Sequence, residues 1–282
     1  MKIPPSRSIE RIGSHCFLDI SNPTLNTLAR LDERNRIARD FISAYANKHA
    51  AMDVVVGLVG LIPGLSIPAL AGAIAAQSPV IYQPLARDLA KIYMAEPGEL
   101  IGAKEEILHR VAIQTGVLDV AADFGTEFML QIATELLMEA GWGVLGAMFI
   151  PVVGGAVGAA LDYLIATQMT WRVGTMVSMY FQNGGNWIGN QRHTFDLAKE
   201  MTGSINVGVS DLLNGKFKNH TPRADLNEIR QAVPSVRQNL LTNVRRLVSM
   251  LRAATGDDKV REILRSQGIP IDLIDMALAH AG

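Results

Sequence analysis

Residue types able to do chemistry are present in this chain, but nowhere are they assembled. The six histidines, His15, His49, His109, His193, His220 and His280, share no metal-binding spacing such as HxxxH. The single cysteine, Cys16, can complete neither a zinc site nor an intramolecular disulfide. No G-x-S-x-G occurs, and serines, histidines and aspartates are too dispersed to define a triad. Glu135 and Glu139 lie one helical turn apart, as carboxylates of a di-metal helical site would, yet no Glu-x-x-His accompanies them. The expectation is a protein that is not an enzyme and holds no metal or cofactor, so its role has to be sought in location and partners.

Two polar features remain. Asp162 follows a charge-free stretch and shares a helical pattern with Thr167 and Gln168. In a membrane it would be a costly and purposeful group, and in a water-soluble fold it would be the first surface residue of an amphipathic stretch. Further on, Arg230, Arg237, Arg245 and Arg252 fall within an arc of about 80° when wound at helical pitch. They flank an apolar face of Leu226, Val233, Leu240, Val244, Leu247 and Leu251. Such a stripe suits an anionic lipid surface or the chain's own acidic segment, Glu99 to Glu139. Nucleic acid is not expected, because the pI is near 6.6 and no aromatics interleave with the arginines.

The elements that would position these groups are dominated by two stretches free of Asp, Glu, Lys and Arg, Val54 to Ala86 and Ala140 to Leu161. Ionised side chains are the groups most penalised in lipid and in a buried helical core, so such stretches belong in one or the other. Each is broken by an Ile-Pro, Ile62-Pro63 with Gly64 in the first and Ile150-Pro151 in the second. Proline lacks an N–H and restricts the residue before it, which stops a helix. Tyr93 and Tyr180 follow the two breakers at nearly equal distance, each before a glycine turn, and this pattern reads as an internal duplication. Ala69, Gly72, Ala73, Ala76, Gly154 and Gly158 recur four apart in pairs, a spacing that lets helix backbones approach closely.

The spacing predicts a helix over 28–51, a second from Pro68 past Pro79 and Pro84 to Tyr93, and a helical acidic segment over 99–139. A long amphipathic helix is expected over 225–254, with Pro234 as a point of kinking, and two short helices split at Gly268-Ile269-Pro270. No run shows strand alternation, so the expected class is all-α: a helical bundle built on two apolar, Pro/Gly-broken hairpins with a C-terminal amphipathic region. The corresponding parts are a polar segment and helix start over 1–37, the duplicated hairpin domain over 38–185 and the amphipathic region over 186–282. The first twenty residues carry prolines and charges where a secretory signal has an apolar core, so no such signal is expected. Charge is uneven beneath a net value of −1: residues 1–50 sum to +3, 77–139 to −6 and 172–282 to +4.

The stretches VGLIPGLSIPALAGAIAAQSPVIYQPLARDLAKIY and IPVVGGAVGAALDYLIATQMTWRVGTMVSMYFQNGG resemble a bacterial domain family of unknown function. That family is found C-terminal to Era-like GTPase domains and in YcjF-type inner-membrane proteins. The resemblance rests on the Gly-Leu-Ile-Pro turn and on Leu85-Ala86 and Leu89-Ala90 leading to Tyr93. In the second half it rests on Ile150-Pro151, Gly154, Ala166-Thr167, Thr170, Gly174 and Tyr180-Phe181. It covers about residues 38 to 185 and implies a helical, membrane-linked module with no defined activity. No P-loop GxxxxGK[ST] is present, so no nucleotide hydrolysis follows from it.

The arm from Val54 to Ile62 is nine residues, roughly 14 Å of helix against about 30 Å of hydrocarbon. Such an arm cannot cross alone. The apolar blocks therefore dip into one leaflet as hairpins, cross as kinked helices, or form a protein core. The expected role is a non-enzymatic anchoring, scaffolding or membrane-remodelling module on the cytoplasmic side of a bacterial inner membrane. Lipid and a protein partner, a GTPase or a second copy, would be its contacts. The alternatives are a cytoplasmic helical interaction protein whose Gly/Ala hairpins are its core, and a lipid-handling protein or enzyme with a cavity between the hairpins.

Overall fold

The computed structural model describes residues 31–57, 78–94, 126–147, 154–217, 222–253 and 255–280, and among these the only regular secondary structure is helix. The first two helices are α1 (Leu31–Gly57) and α2 (Ser78–Met94). The pair α3 (Thr126–Glu139) and α4 (Trp142–Ala147) follows, with Gly141 between them at φ 83°. The remaining helices are α5 (Gly154–Gln182), α6 (Gln191–Thr202), α7 (Val209–Leu213), α8 (Ile229–Ala232), α9 (Pro234–Arg252), α10 (Asp257–Ser266) and α11 (Ile271–Ala279).

α5 is the axis of the molecule. Its sequence is apolar or small on every side, and from Val157 to Gln182 all but Ala159 and Tyr163 are buried. A helix with no polar face has to be enclosed on all sides, and α1, α2, α3, α6 and α7 do this. α1 turns its buried stripe of Ala38, Ile42, Ala46, His49 and Ala50 onto it. α2 contributes Ile81, Tyr82, Leu85, Leu89 and Tyr93, with Pro84 inside the helix. α1 and α5 approach closely at Gly174, where a Cβ would stand 2.6 Å from Cγ1 of Ile42.

α1 runs antiparallel to both α2 and α5, which are parallel to each other. Asn35 reaches Tyr93 and Gln182, while fourteen residues on, His49 reaches Tyr82 and Thr170. α5 ends where the sequence predicts, at Gly184 and Gly185, whose φ values of 72° and 78° favour glycine. α6 is capped by Asn190, whose side chain accepts from the His193 N–H at 2.7 Å.

The C-terminal region differs from expectation at one place. Instead of one helix over 225–254, Val233 is extended (φ −114°, ψ 96°) and α9 restarts with Pro234 in its first turn. Proline bars the helical conformation for its predecessor and is well placed at a helix start, so Pro234 divides the helix instead of kinking it. The split at Gly268-Ile269-Pro270 is found as expected, between α10 and α11. The turn residues Ile62, Pro63, Gly64, Pro68, Ile150 and Pro151 lie outside the described residues, as do Ala69, Gly72, Ala73 and Ala76. Gly154 and Gly158 are buried in the first turns of α5.

The Gly174 contact predicts that Gly174→Ala costs about 1–3 kcal/mol, the usual penalty of overpacking. Combining it with Ile42→Ala should cost less than the sum of the two single changes when measured by urea unfolding. Strict additivity would mean that this contact does not set the helix spacing.

Candidate functional site

The glutamates spaced for a metal are bound by cations. Arg172 of α5 grips Glu139 with two hydrogen bonds, Nη1 to Oε1 at 3.1 Å and Nη2 to Oε2 at 2.7 Å. Lys199 of α6 reaches the same carboxylate at 2.6 Å. Arg192 holds Glu135 in the same forked way, at 2.6 and 3.0 Å. Arg172 also donates to the Gly203 carbonyl at 2.9 Å, and its side chain is fully enclosed. Burial pushes the Glu139 carboxyl up, but the hydrogen bonds and charges of Arg172 and Lys199 outweigh it and hold the group below its ordinary value. The cluster fastens α3 to α5 and α6, and no group of three or more His, Cys, Asp or Glu among the described residues is arranged to hold a metal.

A second polar cluster sits inside α1, α2 and α5. His49 is fully buried, with Nδ1 2.9 Å from Oγ1 of Thr170 and 3.2 Å from the hydroxyl of Tyr82. Thr170 also donates to the Ala166 carbonyl at 2.7 Å. The His49 and Tyr82 rings meet edge-on at 5.4 Å.

At the opposite end of α1, Arg34 donates to the Tyr93 carbonyl. Asn35 accepts from the Tyr93 hydroxyl at 2.7 Å and from Gln182 at 3.0 Å while donating to the Leu226 carbonyl at 3.2 Å. Burial pushes the Tyr93 phenol up to about 12 against lesser opposing effects of Ser178, Gln182 and Arg34, so it stays neutral above pH 10.

The arginine stripe does not act as one surface. Arg230 is buried between the ends of the chain, 2.8 Å from Asp32 and 3.4 Å from Asp272. Arg252 is held by Asp257 at 2.7 Å. Arg237 lies against Met276 of α11, Arg245 is half-buried and Arg246 is exposed, and none of the three has a carboxylate partner among the described residues. The described acidic residues of the 99–139 segment that carry ion pairs, Glu135 and Glu139, pair with α5 and α6 and not with α9. Asp162 is buried (6% exposed) and is therefore not the first surface residue of an amphipathic stretch.

The geometry of the apolar stretches follows from the antiparallel pairs. Tyr45 donates to Asp88 at 2.6 Å and His49 lies beside Tyr82 and Thr170, so the end of α1, the start of α2 and the start of α5 share one end of the bundle. The start of α1 and the ends of α2 and α5 share the other. Both charge-free segments, 58–77 and 148–153, are thus flanked at the same end by the described helices. α4 and α7 lie there as well, and Tyr163 meets Phe217 at 5.4 Å. Val80 and Leu213, 50% and 48% exposed, are the most exposed large apolar side chains described, and both are on this side of the molecule. No helix among the described residues is long and apolar enough to cross a membrane.

Two clefts open at the far end. One, of about 390 Å³, is lined by Asp32, Glu33, Arg265 and the Gly268–Ile271 turn. The other, of about 260 Å³, is lined by Arg36, Arg39, Asp225 and Asn227, with Asp32 and Asn35. Neither gathers a nucleophile beside a base. Compared with family profiles, curated proteins and solved structures, the chain matches none.

Sequence reasoning singled out Asp162 but passed over Arg172, the other charged residue inside α5. The same argument, a charge within an apolar helix, would have found it. Arg172→Met should cost about 3–5 kcal/mol, because it leaves Glu139 partly buried without its forked partner. Adding Glu139→Leu should recover part of that loss, since Lys199 is free to turn to water. The lowered Glu139 pKa gives a sign for pH: its contribution is full above the ordinary value of about 4.5 and is lost as pH falls through the lower folded value. Urea unfolding between pH 7 and 3 should show a shallower acid loss in Glu139→Gln. An unchanged acid slope would remove this group from the account.

Proposed function

We propose that this chain is a non-catalytic, membrane-associated helical module that anchors or scaffolds by presenting two apolar hairpins from one end of its bundle. The observation that carries the reading is the shared end: both charge-free segments are flanked there, together with the exposed Val80 and Leu213. Flanks that enter and leave at one end suit hairpins dipping into a leaflet better than single spans, whose flanks lie on opposite sides of a bilayer. The carboxylates best placed for acid–base work, Glu135 and Glu139, are neutralised by arginine and lysine, which supports a role without catalysis. The resemblance to the domains of Era-like GTPases and YcjF-type proteins accords with a place on the cytoplasmic side of a bacterial inner membrane. It also accords with a GTPase or a second copy as partner.

One observation favours a second reading, a water-soluble interaction protein: α5, the most apolar long helix described, is wrapped by protein on all sides, so it needs no lipid.

Vesicle co-sedimentation separates the two. Leu61→Glu and Phe149→Glu each place a charge in an apolar segment, at a cost of about 2.5–3.5 kcal/mol if that position is in hydrocarbon. Binding to vesicles should then fall roughly a hundredfold. Full-strength binding by both variants, or none by the unaltered protein, would leave the water-soluble reading standing.

Sidedness gives an independent check. Cys16 and a cysteine placed by Gly98→Cys in a Cys16→Ser background should label from the same side of oriented vesicles with an impermeant thiol reagent. Labelling from opposite sides would replace hairpins by spans.

A further inference from the structure

We propose that α8 to α11 form a cap that undocks from the bundle as one folded body, opening along a polar seam at the start of α1 and the end of α5. Each side of that seam has packing of its own. In the cap, Val236, Leu240 and Val244 of α9, Val260 of α10, and Leu273 and Ile274 of α11 are buried, and these helices pack on one another. Two ion pairs close within it, Arg252 with Asp257 at 2.7 Å and Arg261 with Asp275 at 3.0 Å. In the bundle, α5 is enclosed by helices that all precede the cap in the chain. Between the two, helix packing among the described residues is slight and is largest for α9 on α5, although the apolar core runs on across the seam.

The specific contacts across the seam are polar. Arg230 of α8 reaches Asp32 of α1 at 2.8 Å, and Asn239 reaches Asn183. Asn35 donates to the Leu226 carbonyl at 3.2 Å and to Asn227 at 2.8 Å, and Gln182 donates to the same carbonyl at 3.2 Å. The two clefts, of about 390 and 260 Å³, both border Asp32, and each has α1 on one wall and the cap on the other. The Asp32 side chain is 54% exposed, so water already reaches the ion pair. Polar, incompletely packed interfaces between parts of one chain are those along which the parts move.

Undocking also strands little. Arg230 has a carboxylate on each side of the seam and keeps Asp272, 3.4 Å away within the cap, when it releases Asp32. It is therefore not left as an uncompensated buried charge, the event that makes breaking such pairs costly. Asn35 keeps Tyr93 and Gln182, both in the bundle, and its freed donor passes to water. A partner that binds the bared ends shifts the balance toward the undocked form.

The test uses the full chain in a Cys16→Ser background, with distances between nitroxide labels read by pulsed electron paramagnetic resonance as urea is raised. All labels sit at exposed positions: Asn47→Cys with Ser249→Cys spans the seam, Asn47→Cys with Glu200→Cys reports the bundle, and Ser249→Cys with Glu262→Cys reports the cap. Below the main unfolding transition the seam pair should pass to a longer, broader distance while the other two keep theirs. Asp32→Asn, which leaves Arg230 on Asp272, should raise the undocked fraction about threefold at a given urea concentration, as expected for a partly exposed ion pair. High salt should raise that fraction in the unaltered protein and change it little in Asp32→Asn. Loss of all three distances at one urea concentration overturns the proposal, because the chain then opens only as a whole. So does loss of the cap distance together with the seam distance, which would mean that α8 to α11 melt instead of undocking. An undocked fraction unchanged by Asp32→Asn overturns the part given to Arg230.

Discussion

The constraint on which the rest of the structure depends is the enclosure of α5. A helix of 29 residues with apolar or small side chains on every face has no side it can leave to water. Several other helices must cover it, and they must do so at different distances. Where α1 presses close, α5 supplies Gly174 and α1 supplies Ile42. Elsewhere larger residues such as Met176, Phe181 and Leu161 fill the gap.

Enclosure by apolar contact alone would leave the helices free to slide, because apolar packing is nearly indifferent to small changes of register. The buried polar groups remove that freedom. Asn35 is engaged at once by Tyr93, Gln182 and the Leu226 carbonyl, and each partner comes from a different part of the chain. Shifting any one helix by a residue would strand several donors and acceptors in the core, each costing about 1–3 kcal/mol. His49 with Tyr82 and Thr170 does the same near the other end, and Arg172 with Glu139 does it for α3. The polar residues thus fix which arrangement of an otherwise slippery bundle is adopted.

How much of this was legible in the sequence depends on whether the signal was local. The all-helical class, the end of α5 at Gly184-Gly185 and the break at Gly268-Ile269-Pro270 are written in adjacent residues and were readable. Pro234 marks the break, but spacing alone does not tell a kink from a division; the extended, buried Val233 shows a division. The arginine stripe failed for a different reason. A helical wheel places Arg230 beside Arg237 but cannot know that two carboxylates from residues 32 and 272 will enclose it. Long-range pairings of this kind, Glu139 with Arg172 and Asn35 with Gln182 among them, leave no trace in spacing.

The clamp of Arg230 on Asp32 and Asp272 also bears on the order of events when the chain is made. Asp32 and Arg230 are 198 residues apart. At synthesis rates of about 5–20 residues per second, α1 emerges roughly 10–40 s before the residue that closes over its first turn. Until then Leu31, Arg34 and Asn35 lack the Leu226 and Arg230 region that covers them, and until α5 follows, roughly 100 residues behind the end of α1, the apolar faces of α1 and α2 have only each other. A nascent chain in this state exposes greasy helical surface for tens of seconds. That interval is long enough for a chaperone, or a nearby bilayer, to compete with the chain's own last helices for possession of its first.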